Sequence, residues 1–582
     1  MNETLQASFE AQLERDPARR AVGFLAPTGV VTWHTWEELH ARAAAQALGL
    51  RQLGVQPKDV VILALPSNEA CAILLLAVLL CGAVPLLVAP PVLQGMHSNL
   101  AAVLARMVVK LAPKLVLCPS RMVEQRQELE SRRRQTRFLF GAEAVPALSG
   151  SLAPPRLDAH AVVALQLTSG TTGFPRVCQW RQQPVLAALA GMRAAMRLAA
   201  DDLCFNWTPL YHDMGLVNNF FLCLASGVPL VMAGPQDFVK RPALWLRGMA
   251  ETGATLSWSP NFGFALAVRK ITPADMDGVR LERVRALWNA AERIHLETMQ
   301  SFHSRFAPYG LRWEAMQTNF GCAECVGGVA FSSLEAPLRW EHLDGEALQS
   351  RHQAVALEAA ARNTVTVVGV GRAAPGVDLR ILSRLGKPLA DGQVGEIAVH
   401  TPSRMQGYVG DRKETRRALH GKLLRTGDLG YKRGDELFWV GRVRERITVQ
   451  GRKVDPSYFE TALAQVAGLR PGCFVAFGID DARRGTQRVV VAAEVGQPSV
   501  RPFAEIAAEI RDRIFHHLGL EVSETLLVAR GTLAKTSSGK RRHQHFRRLY
   551  LEGKLRSLEP QQGVYDASPV HPAADEPTRL GR

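Results

Sequence analysis

A short stretch in the first third of the chain has residue types suited to binding a polyphosphate. Positions 168–173 hold four hydroxyl residues and two glycines, and Arg176 follows three positions later. Glycines let backbone N–H groups approach phosphate oxygens, hydroxyls donate hydrogen bonds to them, and a cation offsets their charge. The apolar run from Val162 to Leu167 is typical of a buried strand leading into such a loop. A cluster of this composition is more often a plain turn, and the Walker spacing is absent, so the phosphate interpretation needs support from other segments.

Three later segments supply that support, and each contains a residue whose side chain could take part in a reaction or bind a ligand. They are Thr318 to Glu324, Arg425 to Tyr431 followed by Gly441-Arg442 and Gly451 to Lys453, and Lys535 to Lys540. In this order, and together with the 168–176 loop, the segments resemble the core motifs of the adenylate-forming superfamily. That superfamily includes acyl-CoA synthetases, firefly luciferase and the adenylation domains of peptide synthetases. The resemblance extends from the N-terminus to about Tyr550.

Three further runs are similar to segments of one group in that superfamily, the fatty acyl-AMP ligases. They are Trp207 to Leu216, Asp237 to Leu246 and Ser259 to Phe264. In addition, Glu324 and Gly371 lie 47 positions apart, a longer gap than the acyl-CoA synthetases of the superfamily usually need. The gap could hold the extra segment that marks fatty acyl-AMP ligases, around 334–362.

The resemblance implies an α/β fold of two domains. A large N-terminal adenylation domain of parallel-rich sheets with helices would cover 1–443, and a small α+β C-terminal lid would cover 444–560, with Arg444 as the hinge. The alternation of apolar strand-like runs with helical patterns in the first part of the chain independently favours parallel sheets flanked by helices. Residues 561–582 contain three prolines and little apolar material, so we predict a disordered tail there.

The resemblance also implies a role for each matched residue. Lys540 would bridge the substrate carboxylate and the α-phosphate of ATP, and Glu324 would hold Mg²⁺. Asp428 has two carboxylate oxygens for the ribose hydroxyls, and Arg442 would contact the nucleotide. The other implied ATP- and AMP-binding residues are Thr168, Ser169, Gly170, Thr171, Thr172, Gly173, Arg176, Asn289, Ala290, Ala291, Glu292, Asn319, Phe320, Gly321, Cys322 and Ala323.

Some of these positions depart from the family pattern or have a second interpretation. Arg176 replaces a frequent lysine, Ala290 a glycine and Arg293 a proline. Phe320 could offer its face to adenine or be an ordinary core aromatic. His212 is either a catalytic residue at the junction of the acyl and phosphate sites or a core histidine bonded to Asp213.

Charge and composition limit the classes of partner. The formal net charge is +16, which suits ATP, pyrophosphate or an acidic carrier protein. Nucleic acid is not predicted, because the basic runs at 132–134 and 540–548 have neither a stacking-aromatic motif nor a helix-turn-helix pattern. The uncharged stretch from Ala70 to Met96 is interrupted by Gly82 and three prolines, so we predict a buried helix and strand there and no membrane span.

Nine cysteines without a regular framework favour a reducing, cytoplasmic location. With ATP and Mg²⁺ as implied cofactors, the leading hypothesis is a stand-alone ligase that converts a fatty or related carboxylic acid to acyl-AMP. It would then transfer the acyl group to the phosphopantetheine of a separate acyl carrier protein. Two alternatives remain open, an acyl-CoA synthetase and an inactive relative that serves as a binding or scaffold subunit. The acyl chain length is not predicted.

Overall fold

The computed structural model describes most of the chain. The described residues are 4–90, 97–131, 135–153, 155, 157–168, 175–358, 364–443, 447–449, 452–454, 456, 459, 462–464, 466–481, 486–496, 501–535 and 541–558. All nine cysteines are among them, and each is a free thiol. No described helix is long and apolar enough to cross a bilayer.

A nine-stranded sheet carries much of the candidate site. Its order is β17-β14-β13-β12-β11-β9-β10-β1-β2, and its central strands pair in parallel, from β12–β13 to β1–β10. The strands are β1 (Arg20–Leu25), β2 (Val31–Thr35), β9 (Cys204–Asn206), β10 (Leu230–Ala233), β11 (Leu256–Ser259), β12 (Ala286–Asn289), β13 (Met316–Cys322), β14 (Gly327–Phe331) and β17 (Arg372–Ala373). Buried, apolar central strands are what a sheet covered on both faces requires.

A second sheet of seven strands has the order β20-β8-β7-β4-β3-β5-β6. Its strands are β3 (Val60–Leu63), β4 (Val84–Leu87), β5 (Leu115–Cys118), β6 (Arg137–Phe140), β7 (Val162–Leu167), β8 (Val177–Arg181) and β20 (Gly407–Tyr408). The predicted strand before the phosphate loop is therefore confirmed as β7, which pairs antiparallel with β8 on the other side of the loop. The loop thus connects two neighbouring strands of one sheet.

Helices connect and cover these sheets. They are α1 (Leu5–Arg15), α2 (Trp36–Gln52), α3 (Glu69–Leu80), α4 (His97–Leu111), α5 (Arg126–Ser131), α6 (Gln182–Ala195), α7 (Asp213–Gly215), α8 (Leu222–Ser226), α9 (Pro235–Lys240), α10 (Ala243–Thr252), α11 (Asn261–Lys270), α12 (Leu296–Phe306) and α13 (Arg412–Ala418). The uncharged stretch after Ala70 forms the buried helix α3 and the buried strand β4, as predicted.

An antiparallel sheet follows, together with a separate hairpin. The sheet contains β18 (Asp378–Leu382), β19 (Gly395–His400), β21 (Leu419–His420), β22 (Leu423–Arg433) and β23 (Glu436–Arg442). The hairpin is formed by β15 (Trp340–Asp344) and β16 (Thr364–Val368), inside the long gap after Glu324. Strands β18 and β19 pair antiparallel.

The C-terminal part has its own core. It contains β24 (Ile447–Val449), β25 (Arg452–Val454), β26 (Leu469–Asp481), β27 (Thr486–Val495), β28 (Val522–Val528), α14 (Phe503–Leu518) and α15 (His543–Leu551). Strand β27 lies between β26 and β28, and α14 packs against β28. We call this part the lid.

Several predictions fall on residues outside those described. They are the loop positions 169–174, the hinge at Arg444, the catalytic Lys540 and the tail 561–582. The domain boundaries at 443–444 and 560–561 remain predictions.

Candidate active site

Two neighbouring cavities bring most of the described candidate residues together. The Glu324 cavity, about 580 Å³, is bordered by Thr168, Arg176, His212, Glu324 and residues 425–428 of β22. The Phe320 cavity, about 350 Å³, is bordered by Phe320, Glu292, Arg293 and lid residues that include Lys535 and Arg541. Both cavities are bordered by Ala291, Asn319, Gly321, Asp428 and Arg442. Because they share this border, the two cavities form one continuous surface. An elongated ligand whose two ends differ in chemistry could lie along it.

Glu324 lies in a tight turn between β13 and β14, two antiparallel strands. Gly321 is required beside this turn, because a Cβ there would lie 2.2 Å from the carbonyl oxygen of Gly327. Val326 ends the turn with a φ of 59°, a left-handed conformation that is costly for a β-branched residue. The hydroxyl of Tyr408 donates to Glu324 Oε1 at 2.6 Å. Glu324 is thus held with one oxygen bonded and its carboxylate at the cavity wall.

The base of the predicted phosphate loop is closed by two hydrogen bonds between Thr168 and Arg176. The N–H of Thr168 donates to the carbonyl of Arg176 at 2.8 Å, and the N–H of Arg176 donates to Thr168 Oγ1 at 3.1 Å. The guanidinium of Arg176 lies 5.3 Å from the ring centroid of Tyr408. A cation is therefore present in the cavity that contains Glu324, as phosphate binding would require.

Asp428 lies where the two cavities share their border. It is the residue opposite Arg442 in the β22–β23 pair, and it is 4% exposed. Its Oδ1 accepts hydrogen bonds from Trp439 Nε1 and from Arg442 Nε, each at 3.1 Å. Both of these bonds end on one oxygen of the carboxylate. The arrangement is a fixed, charge-paired carboxylate at a cavity wall, and not a turn aspartate bonded to its own backbone.

The predicted nucleotide-binding residues 289–292 lie partly at the cavities and partly in the core. Ala290 borders the Glu324 cavity, Ala291 borders both cavities with a φ of 72°, and Glu292 accepts a hydrogen bond from the N–H of Phe262 at 2.7 Å. Asn289 borders neither cavity; it is fully buried, and its Nδ2 donates to Asn261 Oδ1 at 3.0 Å. The side chain of Asn289 thus supports the loop from behind.

Phe320 and His212 border different cavities of the candidate site. Phe320 borders only the cavity named after it, next to Arg293, so the replacement of a family proline by this arginine adds a charge there. His212 borders the Glu324 cavity, and its Nδ1 accepts from the N–H of Met214 at 3.2 Å and lies 2.8 Å from Asp213 Oδ1. Both interpretations of His212 therefore agree with its position.

His295, beside Arg293 in the Phe320 cavity, has a pKa lowered to about 3. Burial is the main cause, and the charges of Arg293 and Arg541 add to it. His295 is therefore neutral near pH 7, and the positive charge of this cavity comes from its arginines and Lys535.

Some residues that border the Glu324 cavity have no role in the motif-based prediction. Three of them contact predicted site residues or each other, and they are Tyr408, Glu414 and Arg417. Tyr408 bonds Glu324, while Glu414 forms ion pairs with Arg176 and Arg417, each at 2.7 Å. Tyr408 lies 84 positions after Glu324, and Glu414 lies 238 positions after Arg176. Arg417 lies in the same polar helix as Glu414, so only the folded chain reveals these contacts.

Comparison with known proteins fits this geometry. The family described as AMP-binding enzyme matches residues 9–409. The chain belongs to the AMP-binding enzyme family. Within it, the chain is 29% identical over 463 residues to a medium-chain-fatty-acid–[acyl-carrier-protein] ligase, JamA, of Moorena producens, covering 77% of this chain and 78% of JamA. It is 31% identical over 408 residues to a probable long-chain-fatty-acid–AMP ligase, FadD30, of Mycobacterium tuberculosis, covering 65% and 68%.

Comparison of the fold with solved structures also gives similarity to fatty acyl-adenylate ligases. A solved chain from a study of fatty acyl-adenylate ligases of E. coli and L. pneumophila superposes with a TM-score of 0.87 at 25% identity, covering 94% of this chain and 98% of that one. The predicted adenylate-forming fold is confirmed, as is the resemblance to fatty acyl-AMP ligases. Membership of the AMP-binding family implies ATP as the nucleotide.

Replacing Asp428 with alanine is expected to weaken ATP binding, because the ribose loses an ionised hydrogen-bond acceptor. Hydrogen bonds to charged groups contribute about 1.5–3 kcal/mol, so the dissociation constant should rise roughly 10- to 150-fold. Calorimetric titration with ATP measures this change. A thermal melt checks that the variant stays folded after the ion pair between Asp428 and Arg442 is lost. Asp575→Ala in the predicted tail is the control. Small, equal effects of the two substitutions would contradict the ribose role.

Proposed function

We propose that this enzyme activates a fatty or related carboxylic acid with ATP and transfers the acyl group to a carrier protein. In the first step the substrate carboxylate attacks the α-phosphate, forming acyl-AMP and releasing pyrophosphate. In the second step the phosphopantetheine thiol of a separate acyl carrier protein attacks the acyl carbonyl, forming a thioester and releasing AMP.

The shared border of the two cavities is the observation that supports this proposal most. Asp428 and Arg442 lie between a cavity bordered by Glu324 and Arg176 and a cavity bordered by the flat ring of Phe320. Adenine at Phe320, ribose at Asp428 and phosphates near Arg176 and Glu324 form one continuous path for ATP. Negative charge that develops at the α-phosphate would then meet preorganised positive charge.

The residues present fit Mg²⁺ bound largely through the nucleotide. Among the described residues no group of three or more His, Cys, Asp or Glu side chains could hold a metal. Mg²⁺ commonly uses one or two protein carboxylates together with phosphate oxygens and water, so Glu324 alone suffices. Bound there, the ion would offset phosphate charge. Tyr408 orients the carboxylate through its hydroxyl, and burial raises the pKa of that hydroxyl, so it stays a donor at neutral pH.

The preference for a carrier protein over free CoA is supported by the hairpin β15–β16 after Glu324. Glu341 of β15 accepts a hydrogen bond from the hydroxyl of Tyr431 at 2.8 Å and pairs with Arg433 Nε at 3.1 Å, which fixes the hairpin to β22. Its apolar side chains share one buried cluster with the lid. A lid held in this way would hinder the movement that admits a free thiol, whereas a docked carrier could contribute binding energy of its own.

A panel of carboxylic acids of different chain length tests the proposal. Each acid is incubated with ATP and Mg²⁺, first alone, then with CoA, then with a holo carrier protein, and acyl-AMP and thioesters are quantified. Acyl-AMP that forms with CoA present and is consumed when the holo carrier is added is the expected result, and this transfer should weaken with rising salt. Absence of acyl-AMP with every acid would favour the inactive scaffold, and efficient acyl-CoA formation would favour the acyl-CoA synthetase.

A further inference from the structure

The Glu324 cavity contains an ion-pair bridge that joins Arg176 to Glu414 and Arg417, two residues that have no role in the chemistry described so far. Arg176 Nη2 lies 2.7 Å from Glu414 Oε2, and Arg417 Nη1 lies 2.7 Å from Glu414 Oε1. Each oxygen of one carboxylate therefore binds a different arginine, and all three residues border the cavity. The cation assigned to phosphate binding is thus already paired with an anion of the protein itself.

The bridge is held in place from several directions. Glu414 lies in the first turn of α13, where its N–H donates to Asp411 Oδ1 at 3.1 Å. Thr415 Oγ1 accepts from the N–H of Tyr408 at 2.9 Å, which ties the helix to β20, and the Tyr408 ring lies beneath Arg176. The side chain of Glu414 is only 15% exposed. This ion pair is therefore a partly buried, oriented contact, unlike exposed pairs that contribute little.

We propose that Glu414 is a positioning residue that competes with pyrophosphate for Arg176 and so promotes release of pyrophosphate from the cavity. The inference rests on the proposed function, in which pyrophosphate is the leaving group of the first step. A guanidinium has five N–H donors, so Glu414 can orient Arg176 while other donors remain for a phosphate. Any phosphate bound there also lies near the negative charge of Glu414. Repulsion between the two anions weakens the binding of pyrophosphate.

Direct titration with sodium pyrophosphate tests this inference without requiring catalysis. Glu414→Gln keeps the shape of the side chain and removes its charge, so we expect pyrophosphate to bind on the order of tenfold more tightly than to the wild type. Glu414→Asp keeps the charge and should bind pyrophosphate about as weakly as the wild type. The control is Glu251→Gln, which neutralises an exposed ion pair with Arg247 on α10, away from both cavities. This control should change nothing.

A double-mutant cycle shows whether Glu414 acts through Arg176. In an Arg176→Gln background the tightening caused by Glu414→Gln should be smaller, because competition for the guanidinium is gone and only the repulsion between Glu414 and pyrophosphate remains, whereas a general loosening of α13 would act equally in both backgrounds. In steady-state kinetics, Glu414→Gln should lower the KM for ATP and make pyrophosphate a stronger product inhibitor, without raising kcat. Thermal melts of all variants check folding.

Four outcomes would overturn the inference. They are pyrophosphate affinity that is unchanged or weaker in Glu414→Gln, an equal tightening in Glu414→Asp, tightening of the same size in the Arg176→Gln background, and no measurable binding to either the wild type or Glu414→Gln. Failure of the proposed function is a separate result, because a wild type that makes no acyl-AMP leaves the titration interpretable.

Discussion

Replacing Lys540 with alanine is expected to abolish acyl-AMP formation while the protein stays folded. Lys540 lies outside the described residues, and its role follows from its place at the end of the Lys-Thr-Ser-Ser-Gly-Lys motif. The first step concentrates negative charge at the α-phosphate, and an aligned ammonium would stabilise it. Loss of one such donor costs about 3 kcal/mol or more in the transition state, on the order of hundredfold in rate or greater.

The described residues on both sides of this segment explain why the fold should survive. Before it, the N–H of Leu533 donates to the buried carboxylate of Glu494 at 2.7 Å. After it, Arg541 lies 4.9 Å from the ring centroid of Phe474, and His543 Nδ1 is 2.9 Å from the carbonyl oxygen of Ala476. These contacts hold the residues on both sides of the segment to β26 and β27 of the lid, and none of them involves the side chain of Lys540.

Single-turnover assays of acyl-AMP, with a thermal melt as the folding check, measure the effect of Lys540→Ala. Lys554→Ala is the matched control, because Lys554 also belongs to the lid and forms only an exposed ion pair with Glu552 among the contacts described. We expect wild-type adenylation from the control. Near wild-type adenylation by Lys540→Ala would remove Lys540 from the mechanism.

The fold was predictable wherever apolar patterns and motifs agree locally. The buried strand β7, the pair α3–β4 and the antiparallel strands β18 and β19 all follow from runs of apolar residues bounded by glycine or proline. In the lid, the apolar run that begins at Val489 likewise lies in a strand, β27, which starts slightly earlier, at Thr486. Patterns of this kind reflect burial, so they predict strands and helices without knowledge of the tertiary contacts.

The candidate site was predictable only in part, because motifs identify residues and not their partners. The pairing of Asp428 with Arg442 depends on the register of β22 and β23, and the contact between Arg176 and Glu414 joins segments 238 positions apart in the sequence. Asn289 matches a motif position, yet its side chain bonds Asn261 in the core. The direction of a side chain within a matched loop depends on the backbone conformation, which sequence similarity does not specify.

The hairpin after Glu324 contacts both the large domain and the lid. Leu343 and Leu348 belong to the same buried cluster as Tyr431 and Phe438 of the large domain and Val454 of the lid. The short helical segment Ala347–Arg351, which contains Leu348, contacts β25. Truncating Leu348 would therefore weaken the contact between hairpin and lid without altering any residue that borders either cavity.

Leu348→Ala is expected to raise the rate of acyl-CoA formation relative to transfer to a holo carrier, on the order of tenfold, a usual size for coupling between distant sites. A buried leucine-to-alanine change also costs about 2–5 kcal/mol of stability, so a matched truncation is needed. Leu518→Ala supplies it, because Leu518 lies in the same cluster but on α14, away from the hairpin. The measurement is the ratio of acyl-CoA to acyl-carrier formed from the same acyl-AMP. Equal ratios in the two variants would mean that general loosening, and not release of the lid from the hairpin, governs the choice of acceptor.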